Sequence, residues 1–295
     1  MNPIKKFYED KYKLLLLLPF IILLAALIQI GLQYSATGDF VNKGISLKGG
    51  STITLPYSGS FNVDNLRNEL SSNFQKADIT VRTIHSAGEV VAIAIDTDAE
   101  DEQEISSVVK ILEKETGLSK NDFSIEIVGS SLGESFFKQT AMALLIAFLL
   151  MGLVVFIYFR SIAPSMAVIL AAFSDIVVTL AVFNLTGERL STAGIAAFLM
   201  LIGYSVDTDI LLSTRVLKRT ELTVMERVYS AMKTGFTMTG TTLIAVLVAL
   251  LFVQSDIIKQ IVLIIFIGLI VDLIMTWIQN VGILRLYLER KGHRK

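Results

Sequence analysis

The chain has 295 residues, 53% hydrophobic and 18% charged, with a formal net charge of −1 and a mean hydropathy of +0.64. That balance excludes a soluble globular domain and leaves no basic surplus for binding nucleic acid. Because the chain has no cysteine, disulfides and thiolate metal sites are excluded too.

Six apolar stretches, at about residues 12–32, 140–158, 162–183, 192–212, 237–252 and 261–284, can each span a ~30 Å hydrocarbon core, which takes roughly 20 residues. The first follows Lys5, Lys6, Lys11 and Lys13. Its apolar run from Leu14 to Ile30 outlasts the ~7–15 residues of a signal-peptide core, and no small-residue cleavage pattern follows it. It reads as a retained anchor.

Between Gln33 and Ser135 lies a stretch long enough to fold outside the bilayer. Alternation in Val90-Val91-Ala92-Ile93-Ala94-Ile95 and helical spacing of Ile105, Val108, Val109 and Leu112 predict its elements. They are strand 51–55, helix 63–73, strands 79–84 and 89–95, helix 102–115 and strand 123–128. His85-Ser86-Ala87-Gly88 reads as a hairpin turn. The order β-α-β-β-α-β predicts a ferredoxin-like α+β module.

This region has no nucleophile–base pair, no metal-ligand cluster and no phosphate loop. Lys48-Gly49-Gly50 lacks the spacing of a Walker A motif, so Gly44, Gly49 and Gly50 read as backbone turns. His85 reads as a turn residue, and His293 belongs to a basic tail. Neither an enzymatic activity nor a cofactor is expected.

The remaining five spans are joined by short loops. Arg160 lies between the second and third, and Arg215, Lys218, Arg219, Arg227 and Lys233 between the fourth and fifth. Arg285, Arg290, Lys291, Arg294 and Lys295 close the chain, whereas the loops on the other side hold Arg189 and Lys259. The positive-inside rule therefore puts both termini in the cytoplasm. The expected organisation is residues 1–32 (cytoplasmic N-terminus and first span), 33–135 (extracytoplasmic module) and 136–295 (five spans).

Carboxylates within the spans are the main functional signal, because each costs roughly 2.5–3.5 kcal/mol at the centre of a membrane helix. Asp175 lies ~20 Å from the cytoplasmic end of the third span, Asp207 ~8 Å from the cytoplasmic side of the fourth, and Asp209 nearer still. Asp272 sits near the middle of the sixth. These staggered depths suit a relay better than one ion cage. Ser205, Asp209 and Ser213 share a helix face, and Asp207 points elsewhere.

On the fifth span, Lys233, Thr237 and Thr241 form a polar stripe, with Lys233 placed to pair with an aspartate. Asp207, Asp209, Lys233 and Asp175 are the relay candidates. Ser205, Ser213, Thr237, Thr241 and Asp272 are expected to supply polar support. Structural readings stand beside these: Asp209 capping its helix or pairing with Arg215, Lys233 snorkelling to headgroups, and Asp175 and Asp272 joining helices through hydrogen bonds of ~0.6 kcal/mol.

Four strings carry a family resemblance: Gly44-Ile45-Ser46-Leu47-Lys48-Gly49-Gly50-Ser51, Val128-Gly129-Ser130-Ser131-Leu132-Gly133-Glu134, Ser174-Asp175-Ile176-Val177-Val178-Thr179-Leu180, and Ile202-Gly203-Tyr204-Ser205. In order and topology they resemble the SecD/SecF family of protein-export membrane proteins, in its archaeal SecF-type branch. Bacterial members commonly read Asn-Asp-Thr where this chain has Asp207-Thr208-Asp209, and arginine where it has Lys233.

The resemblance implies a subunit of the resistance-nodulation-division superfamily in the cytoplasmic membrane. Its partners would be a SecD-like subunit, the Sec translocon channel, a translocating preprotein and membrane lipid. Movement of the external domain would be driven by the proton-motive force. Two other functions are weighed beside it: a passive scaffold for the translocon, and a small-molecule or lipid exporter. The single external region of about 100 residues is small for the exporter.

Overall fold

The computed structural model describes residues 3–57, 59, 61–74, 79–86, 89–218, 222–253 and 255–292. A short helix α1 (Pro3–Asp10) leads into α2 (Tyr12–Leu15) and α3 (Leu17–Thr37), which ends at Gly38 in the left-handed conformation. Next come α4 (Ile45–Lys48), β1 (Gly50–Pro56), α5 (Val63–Asn73), β2 (Thr80–Ser86), β3 (Glu89–Thr97), α6 (Glu102–Thr116) and β4 (Ser124–Val128). The C-terminal half comprises α7 (Ser130–Phe159), α8 (Ile162–Leu185), α9 (Thr192–Lys218), α10 (Val224–Phe252), α11 (Asp256–Ile274), a π-helical segment (Met275–Asn280) and α12 (Val281–Arg290).

Among the described residues, six helices are long and apolar enough to cross a membrane, the last running through α11, the π segment and α12. Several exceed the apolar stretches in the sequence. At α10, Thr223 and Glu226 form a capping box that starts the helix well before its apolar run. α7, with 30 residues, is ~45 Å long and therefore projects beyond the hydrocarbon.

The four strands form one sheet in the order β2-β3-β1-β4, every neighbouring pair antiparallel. Ile53, Leu55, Ile93 and Ile95 pack against Leu66 and Leu70 of α5 and Val108 and Leu112 of α6. Each such side chain contributes about 1.5–3 kcal/mol on burial. The alternation seen in the sequence holds only for the first half of β3. As a central strand it is buried on both faces from Ile93 to Thr97, with Asp96 held by Arg82 (2.6 and 3.0 Å) and Thr52 (2.8 Å). His85↔Val90 and Ser86↔Glu89 pair across the expected hairpin. The turn at Ala87 and Gly88, like Arg219, His293, Arg294 and Lys295, lies outside the described residues.

In the helical part, α8, α9 and the last span form the packed centre, and α3, α7 and α10 flank it. The segment between α3 and β1 is laced to the connection from α8 to α9. Asn184 donates to the Phe40 carbonyl (2.9 Å). Gly44 N–H donates to Leu190 O (2.8 Å) and Leu190 N–H to Asn42 O (2.7 Å). Gly49, at φ +94°, lies against the start of α7, where a Cβ would overlap the Ser130 backbone. Gly133 on α7 meets the backbone of Leu47 to Gly49 from the helix side. Only glycine fits both demands at position 49.

Candidate functional site

Asp175 on α8, Asp209 on α9 and Asp272 on α11 are fully buried, and the side chains between them join the three helices. Ser205, one turn before Asp209, donates to Asp175 Oδ2. Thr276 Oγ1 lies 2.9 Å from Asp272 Oδ1 and 3.0 Å from Asp209 Oδ1. Asn280 Nδ2 donates to the same Asp209 oxygen at 2.7 Å. Nearby, Gln279 donates to Ser174 at 3.2 Å.

Thr276 and Asn280, which both reach Asp209, belong to the π segment, as does Trp277, which packs on α10. A Cβ at Gly235 would overlap the Trp277 ring, and Phe236 stacks on it at 5.5 Å. Glycine at 235 is therefore what lets α10 approach.

A hydroxyl has one proton to give. Thr276 faces two carboxyl oxygens, so both contacts are hydrogen bonds only if one carboxyl donates to the hydroxyl oxygen. No lysine or arginine among the described residues forms an ion pair with any of the three aspartates. Three carboxyl groups without a cation, bridged by hydroxyls, can hold a proton and pass it between helices.

Asp209 and Ser213 lie on the buried face with Ser205, as their four-residue spacing predicts. The depths differ from the sequence reading. Asp175 contacts the residue one turn from Asp209, so the stagger is ~6 Å and the carboxyl groups form one cluster. Asp272, expected as support, belongs to it. Arg215 instead bonds the Ser230 carbonyl at 2.5 Å.

Asp207 is exposed on the outer face of α9, in line with Gly203 and Met200. Lys233, Thr237 and Thr241 are exposed on α10, and the two threonines bond carbonyls of their own helix (2.8 Å each). Lys233 makes no ion pair with an aspartate among the described residues, because the buried line of α10 is Ala231, Gly235 and Thr239, away from the lysine. Tyr204 reaches Thr242 at 3.2 Å. Of the glycine-rich string, Gly44, Gly49 and Gly50 shape the junction before β1, and Lys48 ends α4.

Sequence reasoning missed Thr276, Asn280 and Gln279. The i, i+4 run Asp272, Thr276, Asn280 was a usable signal.

A family model described as "Protein export membrane protein SecD/SecF, C-terminal" matches residues 108–290. The chain is 37% identical over 291 residues to the protein-export membrane protein SecF of Pyrococcus furiosus, covering 98% of this chain and 95% of that one. It is also 37% identical to SecF of Methanocaldococcus jannaschii, covering 96% and 98%. The solved structure of SecDF, a translocon-associated membrane protein from Thermus thermophilus, is similar with a TM-score of 0.71 at 23% identity. The match covers 96% of this chain and 38% of that chain.

Proposed function

The chain belongs to the SecD/SecF family of protein-export membrane proteins, and on that premise we propose that it couples the proton-motive force to preprotein movement as the SecF-type half of a SecD–SecF pair. The observation that carries this reading is the buried Asp175, Asp209 and Asp272 cluster, spread over three packed helices and bridged by Ser205 and Thr276. A proton crossing 100 mV supplies ~2.3 kcal/mol, which shifts a two-state helix packing by a few tens of fold. The laced segment at residues 39–50 offers the route from that packing to the external module. Shifts of α8 or α9 pull on Phe40, Asn42 and Gly44.

In this reading the cluster holds the proton, and the outer face with Gly203 and Asp207 on α9 and Lys233 on α10 receives the SecD-like partner. Unpaired charges on apolar membrane helices need such a cover. We take residues 33–135 as the extracytoplasmic module and read its β2-β3-β1-β4 sheet as ferredoxin-like, supported by the antiparallel pairing and the two crossover helices. Both termini then lie in the cytoplasm of a cell-membrane protein, the translocon channel is the neighbour, and preprotein is the load.

The test is preprotein translocation into vesicles that contain this chain, its SecD-like partner and the channel, timed with and without an imposed proton gradient. A sodium gradient of equal size serves as comparison. Acceleration by the proton gradient alone supports the reading. Equal rates in all conditions return the chain to a passive scaffold.

A further inference from the structure

The N-terminal helix reaches the far end of the chain. Tyr8 of α1 donates its hydroxyl to the Trp277 carbonyl at 2.5 Å. That carbonyl belongs to the π segment, and Val281 N–H bypasses it to bond Thr276 O and Ile278 O. In an α-helix Val281 would bond Trp277 itself, so the π phase leaves this carbonyl without its usual partner and Tyr8 supplies one.

The helix is fixed at several points. Arg285 donates to the carbonyls of Tyr8 (3.4 Å) and Glu9 (2.9 Å). Tyr229 of α10 donates to Glu9 Oε1 at 2.9 Å, and Lys5 lies 4.2 Å above the Tyr229 ring. Tyr8 packs with Trp277, Val281 and Leu284. Burial raises the Tyr8 hydroxyl well above the usual tyrosine range, opposed in part by Arg285. It therefore stays a donor across physiological pH.

Trp277 stands between Thr276 and the turn that carries Asn280, the two residues that bond Asp209. We propose that α1 is a latch that holds the last span in its π-helical phase, with Tyr8 as a positioning residue for the Asp209–Thr276–Asp272 cluster. Releasing Tyr8 removes the partner of the bypassed carbonyl and lets the segment relax toward α-helix. That relaxation turns Asn280 relative to Thr276 and loosens their joint hold on Asp209. The inference rests on reading the cluster as the coupling site, but the bond it requires is measurable without transport.

Trp277 is the chain's one tryptophan, so carbonyl-13C tryptophan labels a single backbone carbonyl. Infrared spectra of the full-length labelled chain in lipid vesicles would be compared with those of Tyr8→Phe. The carboxyl bands are assigned by their loss in Asp209→Asn and Asp272→Asn. The latch predicts that Tyr8→Phe moves the Trp277 band to higher frequency and shifts both carboxyl bands. Tyr229→Phe, which frees Glu9 and leaves Tyr8 in place, gives a smaller shift in the same sense and carries the test if Tyr8→Phe fails to fold. An unmoved Trp277 band refutes the contact. A moved Trp277 band with unchanged carboxyl bands makes α1 an anchor only. Absence of proton-driven export in the wild type would overturn the coupling reading and leave these bands unaffected.

Discussion

Asp209 and Asp272, on two different spans, share the single hydroxyl of Thr276, at 3.0 and 2.9 Å. Neither carboxyl has a lysine or arginine partner among the described residues. A proton on one of them completes the geometry, and moving it changes which helix holds the hydrogen bond. This is how a local charge event could reach the packing of α9 against the last span.

Thr276→Val keeps the shape of the side chain and removes the bridge. The variant is expected to fold and to associate with its partner, losing about 1 kcal/mol of stability or less, as for hydrogen bonds between membrane helices. Its gradient-driven translocation is expected to fall about tenfold, while Thr276→Ser keeps most of it. Translocation rates in vesicles check both variants.

Gly235→Val places atoms inside the Trp277 ring. Overpacking of this kind costs about 1–3 kcal/mol. Thermal unfolding in detergent, followed by the fluorescence of Trp277, should show a lower midpoint for this variant. The equivalent change at Gly203, where nothing lies within 4 Å, should leave the midpoint of the isolated chain in place. It should weaken association with the SecD-like partner instead.

Gly49→Ala meets the Ser130 backbone and a left-handed φ together. A cost of about 1–3 kcal/mol is expected for the conformation alone. The sheet and the helical bundle should each survive, with the junction loosened. Hydrogen exchange should therefore rise around residues 44–50 and 130–134 and stay unchanged in β3 and α8.

The orientation is open to direct labelling because the chain has no cysteine. In intact cells, Ser107→Cys on α6 should react with a membrane-impermeant maleimide. Leu222→Cys, beside the start of α10, should react only after permeabilisation. The reverse pattern would invert the topology.

Much of this architecture was legible in the sequence because hydropathy and periodicity report burial directly. The apolar runs located the spans, and alternation located β1 to β4 to within a few residues. The four-residue spacing of Ser205, Asp209 and Ser213 correctly grouped them on one face. Which face of α9 points inward was not legible, because Asp207 and Asp209 sit in equally apolar surroundings and differ only in what packs against them. Lys233 was misjudged for the same reason: its helix buries Gly235 and Thr239 instead. The π segment was hidden as well. Met275–Asn280 has no composition that marks a wider turn, and the residues it contacts, Tyr8, Gly235 and Asp209, lie far away in the chain.

The most direct measurement compares Asp209→Asn with Asp207→Asn in the vesicle translocation assay, each in a complex shown to be intact. The account predicts that Asp209→Asn abolishes the acceleration by a proton gradient and leaves the ungraded rate alone. Asp207→Asn should keep the acceleration wherever the partner remains bound. Equal acceleration in Asp209→Asn and wild type would contradict the central claim and remove the buried cluster from the coupling path.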